Sequence, residues 1–291
     1  MARENTIELF KTYIDQLDDV YKLESISVIL ESNAELIRQG KNAGTFDVPK
    51  IDMDGLADYS RSYGYQTGKA DITFETVKCD FDRGRIFNID AMDNEETVGI
   101  AFGKLAAEFL RTKVVPELDA YRFAKYAGKA CKKEAAALAD GSAVMEAISK
   151  ALLYMDDAEV PEEGRYLFIT PAHLNAIKSL DTTKSRELLA TLEGRIIKVP
   201  QTRFYSTIDL LDGAKSGEEA GGYKKNASAK DLNFMMLHKS ALIQFTKHTV
   251  NKIFSPEENQ KADAWAFHYR SYGIADVLEN KVNGIYVHTA A

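Results

Sequence analysis

Residues 81–97 read Phe-Asp-Arg-Gly-Arg-Ile-Phe-Asn-Ile-Asp-Ala-Met-Asp-Asn-Glu-Glu-Thr, and this stretch decides the fold. A tight turn over Asp82-Arg83-Gly84 leads into an alternating strand that contains Ile86, Phe87 and Ile89. The strand runs directly into residues 93–96, an Asp-Asn-Glu-Glu group that is typical of a helix start. The stretch therefore predicts a strand followed by a helix with almost no loop between them.

The predicted helix is the longest element of the chain. Asp93 or Asn94 can cap its first amides, and Glu95 and Glu96 are favourable at the positive end of the helix dipole. Pro116 lies within the helix, removes a backbone donor and predicts a bend near 112–116. We expect helix from about 94 to about 138, spanning on the order of 65 Å. One apolar stripe supports it: Val98, Phe102, Leu105, Phe109, Val114, Leu118 and Tyr121.

The chain before residue 81 predicts a long two-stranded ribbon. Residues 50–70 are rich in Gly, Asp, Ser and Tyr, which is typical of a loop or hairpin tip. Residues 71–81 alternate, with a phase change near Thr76 that indicates a bulge or twist, and we expect them to pair with residues 85–89. A ribbon of two strands is marginally stable alone in water. It needs another surface to pack on, which favours an assembly of subunits.

The first fifty residues predict an arm. Residues 5–40 have apolar side chains at helical spacing, and a short strand over 46–49 follows. The segment is polar and has too few large apolar residues for a core of its own. We therefore expect it to lie along its own body or along a neighbouring subunit.

Residues 142–255 alternate between predicted helices and strands, which is typical of an α/β unit. Ser142 can cap one helix, and Thr170-Pro171 can start another. After this unit the chain returns to predicted strands over 265–272 and 285–288. Within the unit, strands are expected over 166–169, 195–200 and 234–238.

The composition excludes several classes of protein. The 291 residues are 45% hydrophobic and 28% charged, which suits one large domain or two smaller ones. The net charge of −7 argues against a tight grip on nucleic-acid phosphates. Cys79 and Cys131 are too few for a disulfide framework and are expected to be reduced thiols. With no apolar run near the ~20 residues of a membrane span and no signal peptide, we expect folding in a reducing cytoplasm.

Three patterns could indicate catalysis, a cofactor or a metal, and each has a plainer explanation. In Gly64–Lys69 three residues rather than four separate the glycines, and Ala70 follows the lysine, so the segment does not match a phosphate loop. The five histidines lack any metal-binding spacing. The acids near residue 95 are explained as a helix cap. We therefore predict no catalytic, cofactor-binding or metal-binding residues.

Two further patterns leave alternatives open. Lys129, Lys132 and Lys133, expected on the late part of the long helix, could contact nucleic acid or form a solvated face. The aromatic residues of 265–272 have the composition of a base-stacking platform. Their period-2 spacing is explained more simply by the two faces of a strand.

Several local sequences resemble one family. Residues 48–59 (Val-Pro-Lys-Ile-Asp-Met-Asp-Gly-Leu-Ala-Asp-Tyr) and Gly64-Tyr65 resemble the arm-to-loop region of a siphophage coat family. Residues 82–97 resemble its loop-to-spine junction, and residues 116–122 (Pro-Glu-Leu-Asp-Ala-Tyr-Arg) resemble its spine helix. The chain thus resembles the major capsid proteins of tailed bacteriophages, which have the Hong Kong 97-type fold that encapsulin shells share.

This resemblance implies an α+β fold with four regions. Residues 1–50 would form the N-terminal arm and 51–92 the extended loop, a β-ribbon. Residues 93–139 plus 261–291 would form the peripheral domain with the spine helix. Residues 140–260 would form an inserted α/β axial domain, clustered around the five-fold and six-fold axes.

The resemblance also implies a structural role rather than an enzyme. Hexamers and pentamers of the chain would form an icosahedral shell around double-stranded DNA. The shell would contact this DNA only weakly and without sequence specificity. A separate scaffolding protein, a portal and a decoration protein are implied partners, with no membrane and no cofactor. The implied location is the virion capsid, assembled in the host bacterial cytoplasm.

The residues expected at contacts between subunits come from the ribbon and the turn after it. They are Tyr59, Arg61, Tyr63, Tyr65, Ile72, Phe74, Arg83 and Arg85. Asp93, Asn94 and Glu96 are expected to cap the spine helix, and Pro116 to kink it. Two alternatives remain: an encapsulin-type compartment shell, and a soluble α/β enzyme with a site in the 140–260 region.

Overall fold

The computed structural model describes residues 25–32, 38–39, 45–91, 106–261 and 263–291. Helices and mostly antiparallel sheets make up these residues, which confirms the predicted α+β class. The strands are β1 Arg38–Gln39, β2 Thr45–Met53, β3 Ala70–Lys78, β4 Phe81–Asp90, β5 Lys132–Ala135, β6 Arg165–Ile169, β7 Ile196–Lys198, β8 Ile208–Leu210, β9 Tyr223–Lys225, β10 Leu232–His238, β11 Leu242–Phe254, β12 Ala264–Val277 and β13 Ile285–Thr289. The α-helices are α1 Val115–Lys129, α2 Gly141–Asp157, α3 Pro171–Ser179 and α4 Thr183–Thr191.

A five-stranded sheet forms one half of the body, in the order β5-β13-β10-β6-β7. Its central strand β10 is buried along its whole length, because both faces of the sheet are covered. On one face lie the apolar stripes of α2 and α3, with Val144, Ile148 and Leu174 against the sheet. On the other face lies α1, through Phe123 and Tyr126. Helices and strands alternate through α2, β6, α3, α4, β7 and β10, and Thr170-Pro171 starts α3 as predicted.

A three-stranded sheet forms the other half, in the order β11-β12-β4. The helical turns before α1 pack on one face of this sheet, where Leu110 and Val114 meet Phe267 and Tyr269. Because α1 continues from this sheet onto the five-stranded sheet, one continuous helix joins the two halves. Residues 106–129 therefore have the position expected of a spine.

The predicted pairing of the ribbon is wrong. Strand β3 pairs with β2, from Thr45↔Lys78 to Met53↔Ala70, and not with residues 85–89. Strand β4 pairs instead with β12, because Phe87 and Ile89 share a buried face with Phe267 under the helix. Alternation predicts that a segment is a strand, but it does not identify the partner strand.

The predicted end of the long helix is also wrong. The helix ends at Lys129, and Ala130 has extended backbone angles (φ −57°, ψ 133°). Residues 132–135, which include Lys132 and Lys133, form β5 and pair in parallel with β13. Hydrogen bonds to an open sheet edge outweigh the helix propensity of the alanines that follow. The three lysines therefore do not lie on one helix.

The helix is continuous at Pro116, but its hydrogen bonding changes just before it. Residues 110–114 form a π-helical turn, and the Val115 N–H donates to the Leu110 carbonyl, five residues back. Proline then follows this turn as the second residue of α1, where the i→i−4 hydrogen bonding is already interrupted. The bend at Pro116 stays a prediction, and Asp93, Asn94 and Glu96, the expected cap, lie outside the described residues.

Two smaller findings refine the sequence analysis. The carboxylate of Asp140, rather than Ser142, caps α2 by accepting from the Ala143 N–H at 2.8 Å. Strand β11, expected in the axial domain, lies in the three-stranded sheet, while β13, expected in the peripheral domain, lies in the five-stranded sheet. The division of the chain into four regions itself stays a prediction.

Candidate assembly surface

The β2–β3 hairpin is held on the body only at its base. Side chains of paired residues point to the same side of a hairpin, so one side presents Phe46 and Val77 at the base. These two are 5% and 4% exposed and pack on Ile243 and Ile274, at one end of the three-stranded sheet. We call this side of the hairpin the packed side.

Polar contacts continue along the packed side and then stop. The Lys50 ammonium lies 3.5 Å from the Glu279 carboxylate, and the Glu279 N–H donates to Glu75 at 3.4 Å. Burial, together with repulsion from the carboxylates of Glu279 and Asp276, raises the pKa of Glu75. Beyond Lys50 no hydrogen bond or ion pair joins the described part of the hairpin to the body, so its distal half projects from it.

The opposite side of the hairpin is apolar and open to solvent; we call it the free side. Ile51 and Ile72 face each other across the strands and are 58% and 64% exposed, and Phe74, opposite Pro49, is 57% exposed. Covering a large apolar side chain is worth about 1.5–3 kcal/mol when complete. Several such side chains in one stripe are unusual on a monomer and typical of an interface.

The tip of the hairpin, residues 54–69, presents three tyrosines. A tight turn forms at its end, where Ser60 and Gly64 exchange backbone hydrogen bonds and Gly64 takes a positive φ of 76°. The rings of Tyr59 and Tyr65 meet edge to face at 4.9 Å, and Tyr63 and Tyr65 are each 89% exposed. Exposed tyrosines at the end of a projecting element are typical of contact residues.

Arg83 and Arg85, also predicted as contact residues, bind within the chain. The Arg83 Nε donates to the Glu117 carboxylate at 2.7 Å, and Arg85 donates to the Glu219 carbonyl at 2.9 Å. Arg83 also donates to the Gly222 carbonyl at 3.2 Å, so both arginines hold the loop 211–223 against β4. Gly213 has a positive φ of 74°, and a Cβ there would lie 2.7 Å from the Arg85 guanidinium.

A cleft of about 670 Å³ lies between this loop, β4 and the helix. Its walls include Phe87, Phe109 and Leu211, and its charged residues are largely paired, as Arg83 is with Glu117. The Lys215 and Ala214 amides donate to Asp212 and lower its pKa to about 2. No histidine or cysteine is among the described residues that line the cleft.

The second face of the three-stranded sheet is only partly covered. Its end near Ile243 lies under the hairpin base, whereas a row across the other end, formed by Lys252, His268 and Ile86, is open. Ile86 is 56% exposed, and Lys252 and His268 make no ion pair with the described residues. We call this region the open sheet face; it is formed by Asp82, Gly84, Ile86 and Asn88 of β4, His248, Val250, Lys252 and Phe254 of β11, and Ala266, His268, Arg270 and Tyr272 of β12.

Two charged residues on the open sheet face, Arg270 and Asp82, already form an ion pair with each other. Arg270 donates two hydrogen bonds to Asp82, at 2.8 and 2.6 Å, and this bidentate contact lowers the pKa of Asp82. Phe254 packs against the His268 ring at 4.7 Å. The open sheet face therefore combines apolar side chains with Lys252, which makes no ion pair within the described residues.

The turn between β3 and β4 is fixed to the helix. Cys79 and Asp80 alone link the two strands, and the Asp80 carboxylate accepts from both the Tyr121 hydroxyl and the Lys125 ammonium. Burial and the neighbouring Asp80 charge raise the pKa of Tyr121, so it stays a hydrogen-bond donor. The hairpin thus starts from a rigid point on the spine.

A buried network that the sequence analysis missed holds residues 25–32 on the body. Asp119 is fully buried and accepts from the hydroxyls of Ser25 and Ser27, at 2.8 and 2.7 Å. Arg122 donates to Ser27 at 2.7 Å, and Arg203 forms an ion pair with Asp119 at 3.2 Å. The only sequence signal for this network is the presence of two polar residues, Asp119 and Arg122, beside the apolar stripe of the helix.

Neither a metal site nor a membrane segment is found among the described residues. No group of three or more His, Cys, Asp or Glu side chains in these ranges is placed to hold a metal ion. Among the described helices, none combines the length and the apolarity needed to cross a membrane.

Comparison with known sequences gives no assignment. No protein-family model matches the chain, and a search of curated proteins finds no match.

Comparison with solved structures identifies the fold. A structure of Gordonia phage Cozz matches with a TM-score of 0.60 over 91% of this chain and 86% of that one, at 12% identity. The capsid structure of Staphylococcus phage Andhra matches with a TM-score of 0.58, covering 89% and 84%, at 10% identity. A virus-like particle from Pyrococcus furiosus matches with a TM-score of 0.56, covering 97% and 99%, at 12% identity. The chain has the Hong Kong 97-type fold of phage capsids, as predicted.

Proposed function

We propose that this chain is the major capsid protein of a tailed bacteriophage, which assembles into the icosahedral shell around a double-stranded DNA genome. The observation that carries the proposal is the projecting hairpin. Ile51, Ile72 and Phe74 stay more than half exposed on its free side, so the fold is left with an apolar surface that further copies can cover. A chain with the fold of phage capsids and such a surface is suited to form a shell.

Magnitudes favour assembly over a monomeric role. A surface ion pair contributes about 0–1 kcal/mol, whereas each apolar side chain of the free side, already partly covered, still offers about 1 kcal/mol or more. Because every copy both gives and receives such contacts, the contribution is repeated around a ring. Large obligate interfaces of about 2,000 Å² or more are built this way.

The wider set of partners belongs to the same proposal. Hexamers and pentamers of the chain form the shell, a separate scaffolding protein guides assembly, and a portal occupies one vertex. A decoration protein can add to the outside. With a net charge of −7, the chain holds packaged DNA only through weak, non-specific contacts. Assembly takes place in the host bacterial cytoplasm, and the mature location is the virion.

We expect no enzymatic activity from this chain. The cleft beside loop 211–223 is the place where the alternative of a soluble enzyme would be tested. Its described lining contains no histidine or cysteine, and its carboxylates Glu117, Glu108 and Asp212 already bind Arg83, Arg111 and Lys215. An encapsulin-type compartment shell remains the second candidate, because the virus-like particle from Pyrococcus furiosus matches over 97% of the chain.

Electron microscopy and light scattering of the purified protein test the proposal. We expect closed shells, or hexameric and pentameric rings, alone or with a co-expressed scaffolding protein. A compact monomer at high concentration under all these conditions would refute a shell role. Particles from infected or induced cells that contain double-stranded DNA support a capsid, whereas an enclosed enzyme cargo supports the compartment.

A further inference from the structure

Two contacts show how β4 and the helical residues 106–129 pass each other along the walls of the cleft beside loop 211–223. The Phe87 ring packs on the Phe109 ring, with centroids 4.7 Å apart. The Arg83 guanidinium binds the Glu117 carboxylate at 2.7 Å. Residue numbers fall along the strand while they rise along the helix, so the two elements are antiparallel. One level of the cleft is therefore apolar on both walls, and another level is an ion pair.

The level between these two contacts carries a cation on each wall. Arg85 lies midway between the two strand residues, on the same side of β4, and Lys113 lies about one helical turn from each of the two helix residues. Both line the cleft, and neither makes an ion pair with the described residues. The Arg85 guanidinium has five N–H donors, of which one is given to the Glu219 carbonyl at 2.9 Å. Two positive charges thus face each other without a counter-charge.

The carboxylates that line the cleft do not supply this counter-charge, because each is bound to another cation. The pairs are Glu117 with Arg83, Glu108 with Arg111 and Asp212 with Lys215. An anion from outside the described part of the chain would complete the middle level. A guanidinium and an ammonium both form their strongest hydrogen bonds with carboxylate and phosphate oxygens.

The cleft also has room for an apolar body beside these cations. Its volume of about 670 Å³ lies in the range of about 300–1,000 Å³ that small-molecule sites have. Phe87, Phe109 and Leu211 are half-buried in its walls. The loop approaches Arg85 so closely that a Cβ at Gly221 would lie 3.4 Å from the guanidinium. The cleft therefore combines an apolar interior with a fixed pair of cations.

We propose that this cleft binds a small amphipathic oxyanion, a molecule with a carboxylate or phosphate head group on one apolar chain. The head group binds between Arg85 and Lys113, and the apolar chain lies against Phe87, Phe109 and Leu211. The bound molecule joins the loop 211–223 to the helix. The site goes beyond the proposed shell function and does not depend on it, because all of these residues belong to one chain.

Calorimetric titration of the full-length protein tests the site, with dodecanoate and dodecyl phosphate as probes below their micelle concentrations. We expect one molecule bound per chain, and the tighter probe identifies the head group. Acetate lacks the chain, and dodecyltrimethylammonium carries the opposite charge, so each should bind at least tenfold more weakly. No binding of either anionic probe, or equal binding of the cationic one, would overturn the proposal.

Charge reversal at Lys113 separates a bound head group from a non-specific apolar surface. Lys113→Glu places a carboxylate opposite Arg85 and completes the middle level within the chain. The Tm of the unliganded protein should therefore stay the same or rise, while the affinity for the anionic probes falls at least tenfold. Lys113→Gln, which only removes the charge, should reduce the affinity less.

The matched control is Lys178→Glu, an equal charge change at an exposed position on α3. It should bind the probes as the wild-type chain does. Unchanged affinity in Lys113→Glu, or an equal loss in Lys178→Glu, would show that the head group does not bind at the middle level.

Filling the cleft tests the apolar part of the site. Ala220 is exposed and lines the cleft, so Ala220→Trp introduces a large side chain there without displacing a core residue. The affinity for dodecanoate should fall at least fivefold. Ala214→Trp, on the same loop but outside the described lining, is the control and should leave it unchanged. Equal affinities in the two variants would show that the chain does not lie in the cleft.

This proposal and the shell function fail separately. A chain that forms shells but binds neither anionic probe keeps the shell function and loses the site. A chain that binds a probe with the expected dependence on Lys113, yet forms no shells or rings, keeps the site and loses the shell function.

Discussion

Strands β10 and β3 show two opposite uses of the same type of segment. All seven residues of β10 are buried, between α1 on one side and α2 and α3 on the other. Of the nine residues of β3, only Val77 is buried. The five-stranded sheet is covered on both faces within one chain, whereas the hairpin leaves an apolar side uncovered, which we propose other copies cover. Substitutions in β10 should therefore reduce folding stability, and substitutions in β3 should reduce assembly.

The largest expected effect on stability is at Phe234 of β10. Its ring is fully buried and stacks between Tyr286 and His288, with centroids at 6.1 and 5.1 Å. Phe234→Ala removes these contacts and leaves a cavity, so the free energy of unfolding should fall by about 3–5 kcal/mol. Chemical denaturation measures it. A loss below about 1 kcal/mol would show that this sheet is less tightly packed than the structure indicates.

Acid should destabilise the same sheet through His288. This residue is 2% exposed, and burial, with like-charge repulsion from His173 and Lys150, lowers its pKa against the opposing effect of Glu134. The unfolded chain then binds the proton more readily than the folded chain does. Stability should be constant above about pH 6.5, the ordinary value for histidine, and should fall as the pH drops below it.

Thermal melts between pH 8 and pH 5 measure this dependence. His238, whose pKa burial also lowers, contributes in the same direction, so His288→Gln should reduce the slope without abolishing it. An unchanged slope in that variant would remove His288 from the explanation.

Pro116 lies in the helix that joins the two sheets, and its substitution should change the stability less than Phe234→Ala does. Proline costs about 3 kcal/mol in a helix interior, but here it follows a π-helical turn and occupies the second position of α1. Pro116→Ala should therefore raise the free energy of unfolding by about 1 kcal/mol or less. If this interruption of the helical hydrogen bonding is a flexible point that lets the subunit fit both hexamers and pentamers, the variant should also form particles of altered or mixed diameter. Particles of one unchanged diameter would leave Pro116 as a static feature.

The smallest expected effect on stability, with a large effect on assembly, is at Phe74 of β3. Phe74 is 57% exposed on the free side, so Phe74→Ser should change the free energy of unfolding by about 0.5 kcal/mol or less. The fraction of chain in shells should nevertheless fall severalfold, as sedimentation would show. Phe234→Ala is the matched opposite case, because it removes the same side chain from the closed region. Normal assembly of Phe74→Ser would show that the free side is not an interface.

The two regions also differ in how much of them the sequence predicts. Elements that depend on local pattern were predicted in part: the strand over 85–89, the helix start at Thr170-Pro171 and the helix through Pro116 are present, whereas the tight turn expected at Asp82-Arg83-Gly84 is wrong, because these residues belong to β4 and pair with β12. Pairing depends on distant residues. Residues 71–81 and 85–89 alternate as partners would, yet β4 is held by β12, some 180 residues away in the chain. Residues 132–135 became a strand because the edge of β13 was available, which no local pattern records.

For the candidate contact residues, the structure gives the placement but not the role. The structure places Tyr59, Tyr63, Tyr65, Ile72 and Phe74 on an exposed, projecting hairpin, where contact residues are expected. Their role between subunits stays a prediction. Arg83 and Arg85 bind the loop 211–223 of their own chain. Sequence analysis missed these contacts because the loop lies far from both arginines in the sequence. Charge and exposure along a strand do not reveal such a partner.

The two-residue link at Cys79 and Asp80 has a mechanical consequence. Tyr121 and Lys125 of the same helix both bind Asp80. The start of the hairpin is therefore joined directly to this helix. Through this link, a load carried by the base of the hairpin would pass to residues 106–129. In a shell of such subunits, internal pressure would be shared from one subunit to the next along the helices, instead of accumulating at single contacts.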